Sequence, residues 1–288
     1  MQRKQAHQEP RGFITVAQNS PTGDYLTMAY VQAMSIKATM PGARYAVVVD
    51  TATAALVTAR HRRVFDYVIE IEQDNAAADD WKLANDWQIF WLTPFKETIR
   101  LEADVIVPRS IQHWWPALAQ RELVLGQHCR DYLGNICTVS PYRKTFRDNN
   151  LPDTYSGIMY FRYSRTATEF FLLAESIFAN WQQVSTALLK PDPLPTTDVV
   201  YALAAKIMGP ERVTLPVDFV NFVHMKPGIN KWPETTDFVK ELTVVVDADR
   251  LLVNNILVTH PFHYHSKHFI TPEIIETYER ATRNICNS

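Results

Sequence analysis

An alternation near the start of the chain constrains the fold more than any other feature. Gly12–Ala17 reads as a buried β run and Gln18–Gly23 as a polar loop, after which Leu26, Ala29, Tyr30, Ala33, Ile36, Lys37 and Met40 recur at helical spacing. Asp24 is placed to cap that helix and Pro41-Gly42 to stop it. Tyr45–Asp50 then reads as a strand, Thr51–Val64 as a helix and Tyr67–Ile71 as a strand. Parallel strands need crossover connections, and helices laid on the sheet faces supply them. The pattern therefore predicts an α/β protein whose mixed sheet is flanked by helices.

Length and composition narrow the class further. The 288 residues suffice for one large core. Glycine numbers only 8 and is well under the roughly 7% of an average protein; no G-x-G-x-x-G or G-x-x-x-x-G-K run occurs. The usual dinucleotide and P-loop cradles are thereby excluded. Apolar runs such as Phe13–Ala17 and Tyr45–Val49 fall far short of the roughly 20 residues of a membrane helix. Met1–Arg11 is polar and has no apolar core before a cleavage site, so the expected location is the cytoplasm, the host's if the source is viral. Cys129, Cys137 and Cys286 share no C-x-x-C spacing, which gives neither a disulfide framework nor a zinc knuckle. A net charge of -2 lacks the footprint of a protein that coats nucleic acid, although it is compatible with a local basic face.

Further along, Trp81–Leu92 reads as a helix. Thr98–Val107 reads as one strand with Ile99, Leu101, Ala103, Val105 and Val107 on one face, so that Glu102 and Asp104 project together from the other. Ile158–Tyr163 is a further strand. It feeds a helix with a Thr166/Glu169 capping box and an apolar stripe from Ala167 to Trp181. After the break Pro191–Pro195, a helix over Thr197–Met208 ends at Gly209-Pro210. Short β runs follow at Phe219–Val223 and Leu242–Val246, and Thr271-Pro272 opens a last helix. With no repeat and no long linker, residues 1–11 are expected to form a tail and 12–288 one domain.

Three constellations carry chemistry. In Glu102-Ala103-Asp104, two carboxylates at the end of a buried strand cost on the order of several kcal/mol to desolvate unless a cation offsets them. Either a hard divalent ion sits there, or the pair lies on a solvated edge balanced by Arg100 or Arg109. The second is His260, His263, His265 and His268 with Lys267. These suit a transition metal, as in a metal hydrolase, or contacts to phosphate or acceptor, or simply a polar surface strand. The third is the stretch Ile111–Arg147, where Arg121, Arg130, Arg143, Lys144 and Arg147 alternate with aromatics. It reads either as a polynucleotide-binding face or as an insertion whose aromatics pack on the core.

The segment from Trp81 through Val107 resembles the "K-L…Y-D-K-V-L-Y-L-D-A-D-V-L-V" block of the family-8, glycogenin-like glycosyltransferases. Other blocks fall in that family's order. Thr15-Val16-Ala17 with Asp24-Tyr25 and the helix to Lys37 resembles its opening strand and donor-base loop, and Asp153–Phe161 its "F-N-S-G-V-M-V" strand. Thr196–Val200 is similar to "D-Q-D-L-L" and Val223–Trp232 to "H-F-x-G-x-x-K-P-W". The resemblance covers residues 12–232 and implies the GT-A fold and transfer from a nucleoside diphosphate sugar, UDP-linked, with retention of anomeric configuration. By the same resemblance, Glu102, Asp104 and His224 would hold Mn²⁺ or Mg²⁺, and Lys231 would neutralise the leaving diphosphate. Asp198 would lie under the reacting sugar. Ala17, Gln18, Asn19 and Tyr25 would meet the nucleotide, and Lys82 the phosphates or sugar. Apart from the resemblance, the fixed charge of Lys267 places phosphate or acceptor contacts by His263, His265 and Lys267 first among the readings of the histidine cluster, with the histidines an alternative source of the third metal ligand.

Departures from the family pattern lie at Glu102 for its first aspartate, Tyr155 for its Asn, and Thr196 and Thr197 for its acid and amide. Pro94–Asp104 and Ser110–Trp115 also look like glycosyltransferases of tailed bacteriophages that decorate hydroxymethylated pyrimidines. That resemblance implies a pentose such as arabinose, or glucose, placed on 5-hydroxymethylcytosine in duplex DNA. The competing acceptor is a protein, glycan or lipopolysaccharide.

Overall fold

The computed structural model describes residues 6–77, 79–137, 143–215, 220–230, 237–247 and 249–286. The first half winds one sheet edge. It runs β1 (Glu9–Val16), α1 (Tyr25–Thr39), β2 (Tyr45–Val49), α2 (Thr51–Ala54), α3 (Ala59–Arg62) and β3 (Tyr67–Glu70). Asp24 caps α1 through Thr27 N, as its position in the sequence predicts. The single helix expected over Thr51–Val64 is instead two short ones. Leu56 and Val57 close the first with tight turns, and Thr58 starts the second by bonding through its backbone N–H to the His61 ring.

A 3₁₀ turn (Lys82–Gln88) and α4 (Ile89–Leu92) replace the single helix expected over Trp81–Leu92, and they lead to β4 (Phe95–Leu101). The main sheet has six strands. β1, β2 and β3 are parallel, β4 is parallel to β1, and β7 (Thr154–Arg162) is antiparallel to β4. The order is β3-β2-β1-β4-β7-β6, with β6 (Leu123–Gln127) antiparallel at the far edge. The chain therefore reverses its direction of travel across the sheet between β1 and β4, and crevices open at the carboxyl ends of strands at such a switch point.

The predicted strand Thr98–Val107 does not run through. β4 ends at Leu101, Glu102 N makes a last ladder bond to Gly157 O, and the chain turns before β5 (Val105–Ile106). The buried Gln32 of α1 fixes that turn by donating to Glu102 O and Val105 O at 2.5 and 3.0 Å. Glu102 and Asp104 thus lie on a turn and not on one face of a strand. β5 joins a separate sheet, antiparallel to β12 (Phe262–His263), which is itself parallel to β8 (Val223–His224). Phe219 of the predicted β run lies outside the described residues.

Between these strands lie α5 (Trp115–Leu118), α6 (Lys144–Asp148), α7 (Arg165–Ala179), α8 (Trp181–Thr186), α9 (Thr197–Met208) and α10 (Pro210–Val213). α7 is capped by Ser164 through Ala167 N, while Glu169 pairs with Arg165 and Arg212 in place of the predicted box. α11 (Phe238–Glu241) precedes a small antiparallel meander of β9 (Val244–Asp247), β10 (Arg250–Val253) and β11 (Ile256–Val258). The closing α12 (Pro272–Cys286) lies against α1, where Tyr30 OH donates to Glu279 at 2.9 Å.

Apolar side chains fill both sheet faces. One cluster lies under α1 and α12, and the other under α7 and α9. Gly157 of β7 backs directly onto the Phe222 ring, where an added Cβ would stand 2.7 Å from a ring carbon. Gly157→Ala is expected to destabilise the fold by about 1–3 kcal/mol, read as a lower denaturant midpoint at unchanged slope.

Candidate active site

A cleft of about 320 Å³ opens at the carboxyl ends of β1 and β4. The turn after β4 supplies Glu102 and Asp104. The small sheet supplies His263 opposite Val105 and His224 beside His263. His263 Nε2 lies 3.1 Å from Asp104 Oδ1 and 3.4 Å from Glu102 Oε2. One ligand atom from each of Glu102, Asp104 and His263 falls within 4.8 Å of the others. Two carboxylate oxygens and an imidazole nitrogen so gathered fit a divalent cation such as Mn²⁺ or Mg²⁺. The His224 ring packs against His263 at a tilt of 36°, with centroids 4.7 Å apart.

Charge is tightly balanced here. Burial alone would raise the Asp104 carboxyl, but His263 and Lys267 outweigh it and hold it well below the ordinary carboxylate range. Burial disfavours a charged His263, yet Asp104 and then Glu102 outweigh that and raise it. His224 is pushed well below the ordinary imidazole range by burial and then by His263. The same two causes lower His265 to about 3.

Behind Glu102 lies a buried polar scaffold. Arg100 pairs with Asp86, donates to Ser156 O and stands 3.5 Å from Glu102 Oε1. Tyr201 OH donates to the other oxygen of Asp86 at 2.5 Å. The Ser156 hydroxyl lies 2.6 Å from Glu102 Oε1 and 2.9 Å from Asp198 Oδ1, and Ser156 N donates to Asp198 Oδ1 at 2.6 Å. One hydroxyl thus bridges the metal-type carboxylate and the acid at the start of α9. Thr197 Oγ1 is buried, belongs to a residue lining the cleft and has no partner among the described residues.

Of the residues singled out in the sequence, Gln18, Tyr25, Lys82, Glu102, Asp104, Asp198, His224, His263, His265 and Lys267 all line this cleft. Lys82 also donates to Ala76 O at 2.7 Å. Ala17 is wholly buried, its N–H bonded to Val48 O. Asn19 organises the loop before α1, accepting from Leu26 N at 2.8 Å and donating to Asp24 at 3.0 Å. Neither of those two reaches the cleft wall. Lys231 lies outside the described residues. His265 adopts a left-handed backbone (φ 57°), and the rings of both His263 and His265 line the cleft. His260 and His268 are exposed.

Sequence reading missed Gln32, Asp86, Ser156, Tyr201 and Lys226, of which Asp86, Ser156 and Lys226 line the cleft. A glutamine inside an otherwise apolar helical face was the one available signal, since such a side chain must find partners when buried. Of the two readings of Ile111–Arg147, packing on the core holds for Trp114, Trp115 and Phe146, which are buried, and Arg143 joins them, its guanidinium 3.3 Å from the Phe146 ring centroid and 2.8 Å from Asp153. Buried rings cannot stack on bases.

No family model and no curated protein matches this chain. Solved structures do. An active-site mutant of LgtC aligns with a TM-score of 0.52 at 13% identity, covering 95% of each chain. The galactosyltransferase LgtC in complex with donor and acceptor sugar analogs aligns at 0.49 and 12%, over 96% of this chain and 95% of that one. The bifunctional glycosyltransferase WbbM aligns at 0.49 and 12%, over 98% of this chain and 50% of its own. The fold is GT-A. Among the described residues, no helix is long and apolar enough to cross a membrane.

Proposed function

We propose that this chain is a metal-dependent glycosyltransferase that moves a sugar from a nucleoside diphosphate donor, UDP-linked, to an acceptor hydroxyl. The observation that carries the reading is the gathering of Glu102, Asp104 and His263 at the β1/β4 switch point, in one cleft with Lys226, Lys267 and Asp198. A Mn²⁺ or Mg²⁺ ion held by Glu102, Asp104 and His263 would neutralise charge developing on the departing diphosphate. His224 would back His263, and Lys82, Lys226 and Lys267 would add fixed positive charge along the phosphates, with Lys231 in the same role by sequence resemblance. Tyr25 and Gln18 would seat the nucleotide. Asp198, held by Ser156 N and Oγ, would orient the sugar hydroxyls, and the orphaned Thr197 Oγ1 offers a further contact. The resemblance to retaining enzymes supports same-face attack, and it leaves hexose and pentose donors to be separated by assay. Residues 12–288 would act as one domain, consistent with α12 packed on α1.

For the acceptor, the resemblance of Pro94–Asp104 and Ser110–Trp115 to phage enzymes supports 5-hydroxymethylcytosine in duplex DNA. Binding to such duplexes is expected to weaken steeply with salt, and absence of binding at low ionic strength would redirect the search to protein, glycan or lipopolysaccharide acceptors. Of the histidines considered for a hydrolase centre, His263 joins the same carboxylates, and no second cluster forms among the described residues.

Thermal shift against a panel of sugar nucleotides tests the donor reading. The expected result is a rise in melting temperature that needs both Mn²⁺ and one nucleotide type, since a ligand at 100 times its Kd adds about 2.7 kcal/mol. A flat response across the panel would overturn it.

A further inference from the structure

Lys267 occupies two places that a donor complex would need. Its Nζ lies 2.8 Å from Asp104 Oδ2 and 4.7 Å from the centroid of the Tyr25 ring. The other oxygen of Asp104 faces His263 Nε2 at 3.1 Å, so both oxygens of this 6% exposed residue are engaged. A carboxylate buried to that degree requires a counter-charge, and the ammonium supplies it. Asp104 and Tyr25 in turn outweigh burial and raise the lysine above its ordinary range.

A divalent ion ligated by Asp104 would stand within a few ångströms of that ammonium, and two cations so close repel strongly in a desolvated site. A nucleotide base on Tyr25 would need the ring face that the ammonium covers. Lysine is suited to yield, because its charge sits at the end of a flexible four-carbon stem. Lys267 also borders a second cavity beside the cleft, lined by Thr22, Met225, Asp237 and Ser266, which leaves it room to move.

We propose that Lys267 is the resident counter-ion of Asp104, that it competes with the divalent cation for this carboxylate, and that it transfers to the donor diphosphate once the cation is bound. The inference rests on the metal reading of the same site. It has a thermodynamic consequence. Because cation and nucleotide each displace the same side chain, whichever binds first removes an obstacle for the second, and the two bind with positive coupling.

Calorimetry with Mn²⁺ alone, with no nucleotide present, tests the competition. Lys267→Met keeps the aliphatic stem and is expected to bind Mn²⁺ about tenfold more tightly than wild type, whereas Lys267→Arg keeps the charge and stays near wild type. Lys267→Gln repeats the measurement should the methionine variant misfold. With UDP as second ligand, the wild type is expected to show a lower UDP Kd in the presence of Mn²⁺, and that ratio shrinks in Lys267→Met. Mn²⁺ binding to the neutral variants that is no tighter than to wild type overturns the role of Lys267 and leaves the metal site standing. Absence of Mn²⁺ binding in wild type and variants alike overturns the metal reading, and this inference with it.

Discussion

Asp104→Asn is expected to abolish measurable Mn²⁺ binding and to lower sugar transfer by at least about a hundredfold. The substitution keeps the size of the side chain but removes the charge that faces His263 at 3.1 Å and Lys267 at 2.8 Å. An amide presents one oxygen where the carboxylate presents two, and it offers no negative charge to a hard cation. Chelation of the wild type followed by return of Mn²⁺ should reproduce the loss and its reversal. Retained metal affinity in Asp104→Asn, beside full activity in chelator, would place the chemistry elsewhere.

The largest loss of stability is expected from Arg100→Ala. The guanidinium and the Asp86 carboxylate are each only 3% exposed, and Tyr201 OH completes the cluster. Removing the arginine leaves an uncompensated buried carboxylate, which costs about 3–5 kcal/mol. Burial works against a charged Arg100, but Asp86 and then Glu102 outweigh it and hold the guanidinium above its ordinary range. A double variant, Asp86→Leu with Arg100→Met, is expected to be less destabilised than the sum of its single changes, because it removes both charges together. Urea titration of the four proteins measures the coupling, and strict additivity would show that the two groups do not act as a pair. Arg100 also stands behind Glu102, so Arg100→Ala is expected to weaken Mn²⁺ binding even under conditions where the protein remains folded.

These two residues show where local pattern stops informing. Asp104 could be singled out in the sequence because an acid two residues after another acid, within an apolar run, calls for a counter-charge. Arg100 reads there only as a neighbour able to balance an edge. Its partners are Asp86, the Ser156 carbonyl and Glu102, and Tyr201 closes the cluster through Asp86. No spacing rule links them, because the link is made by burial in a common interior.

The histidines make the same point. Four of them in nine residues were visible, as was His224 at a position matched by family resemblance. Their division of labour was not. Pairing of β12 with β5 and β8 sets His263 against the carboxylates and His224 behind it, while His260 and His268 stay in water. Likewise the sequence left the aromatics of Ile111–Arg147 between stacking on bases and packing on the core, and tertiary packing turned Trp114, Trp115 and Phe146 inward.

The amino-acid order alone determined the layered α/β architecture, the cap at Asp24, the breaks at Pro41 and Gly209, and the set of acids and histidines able to hold a cation. Each of these follows from short-range periodicity, turn chemistry or composition, which act over a few residues. Tertiary structure decided the rest. It broke the expected strand at Glu102, drew β5 into a second sheet, and closed Lys267 onto Asp104 across a separation of 163 residues. Such choices depend on which distant groups share one low-dielectric interior, where every buried charge must find a partner, and that condition is met only when the whole chain is folded.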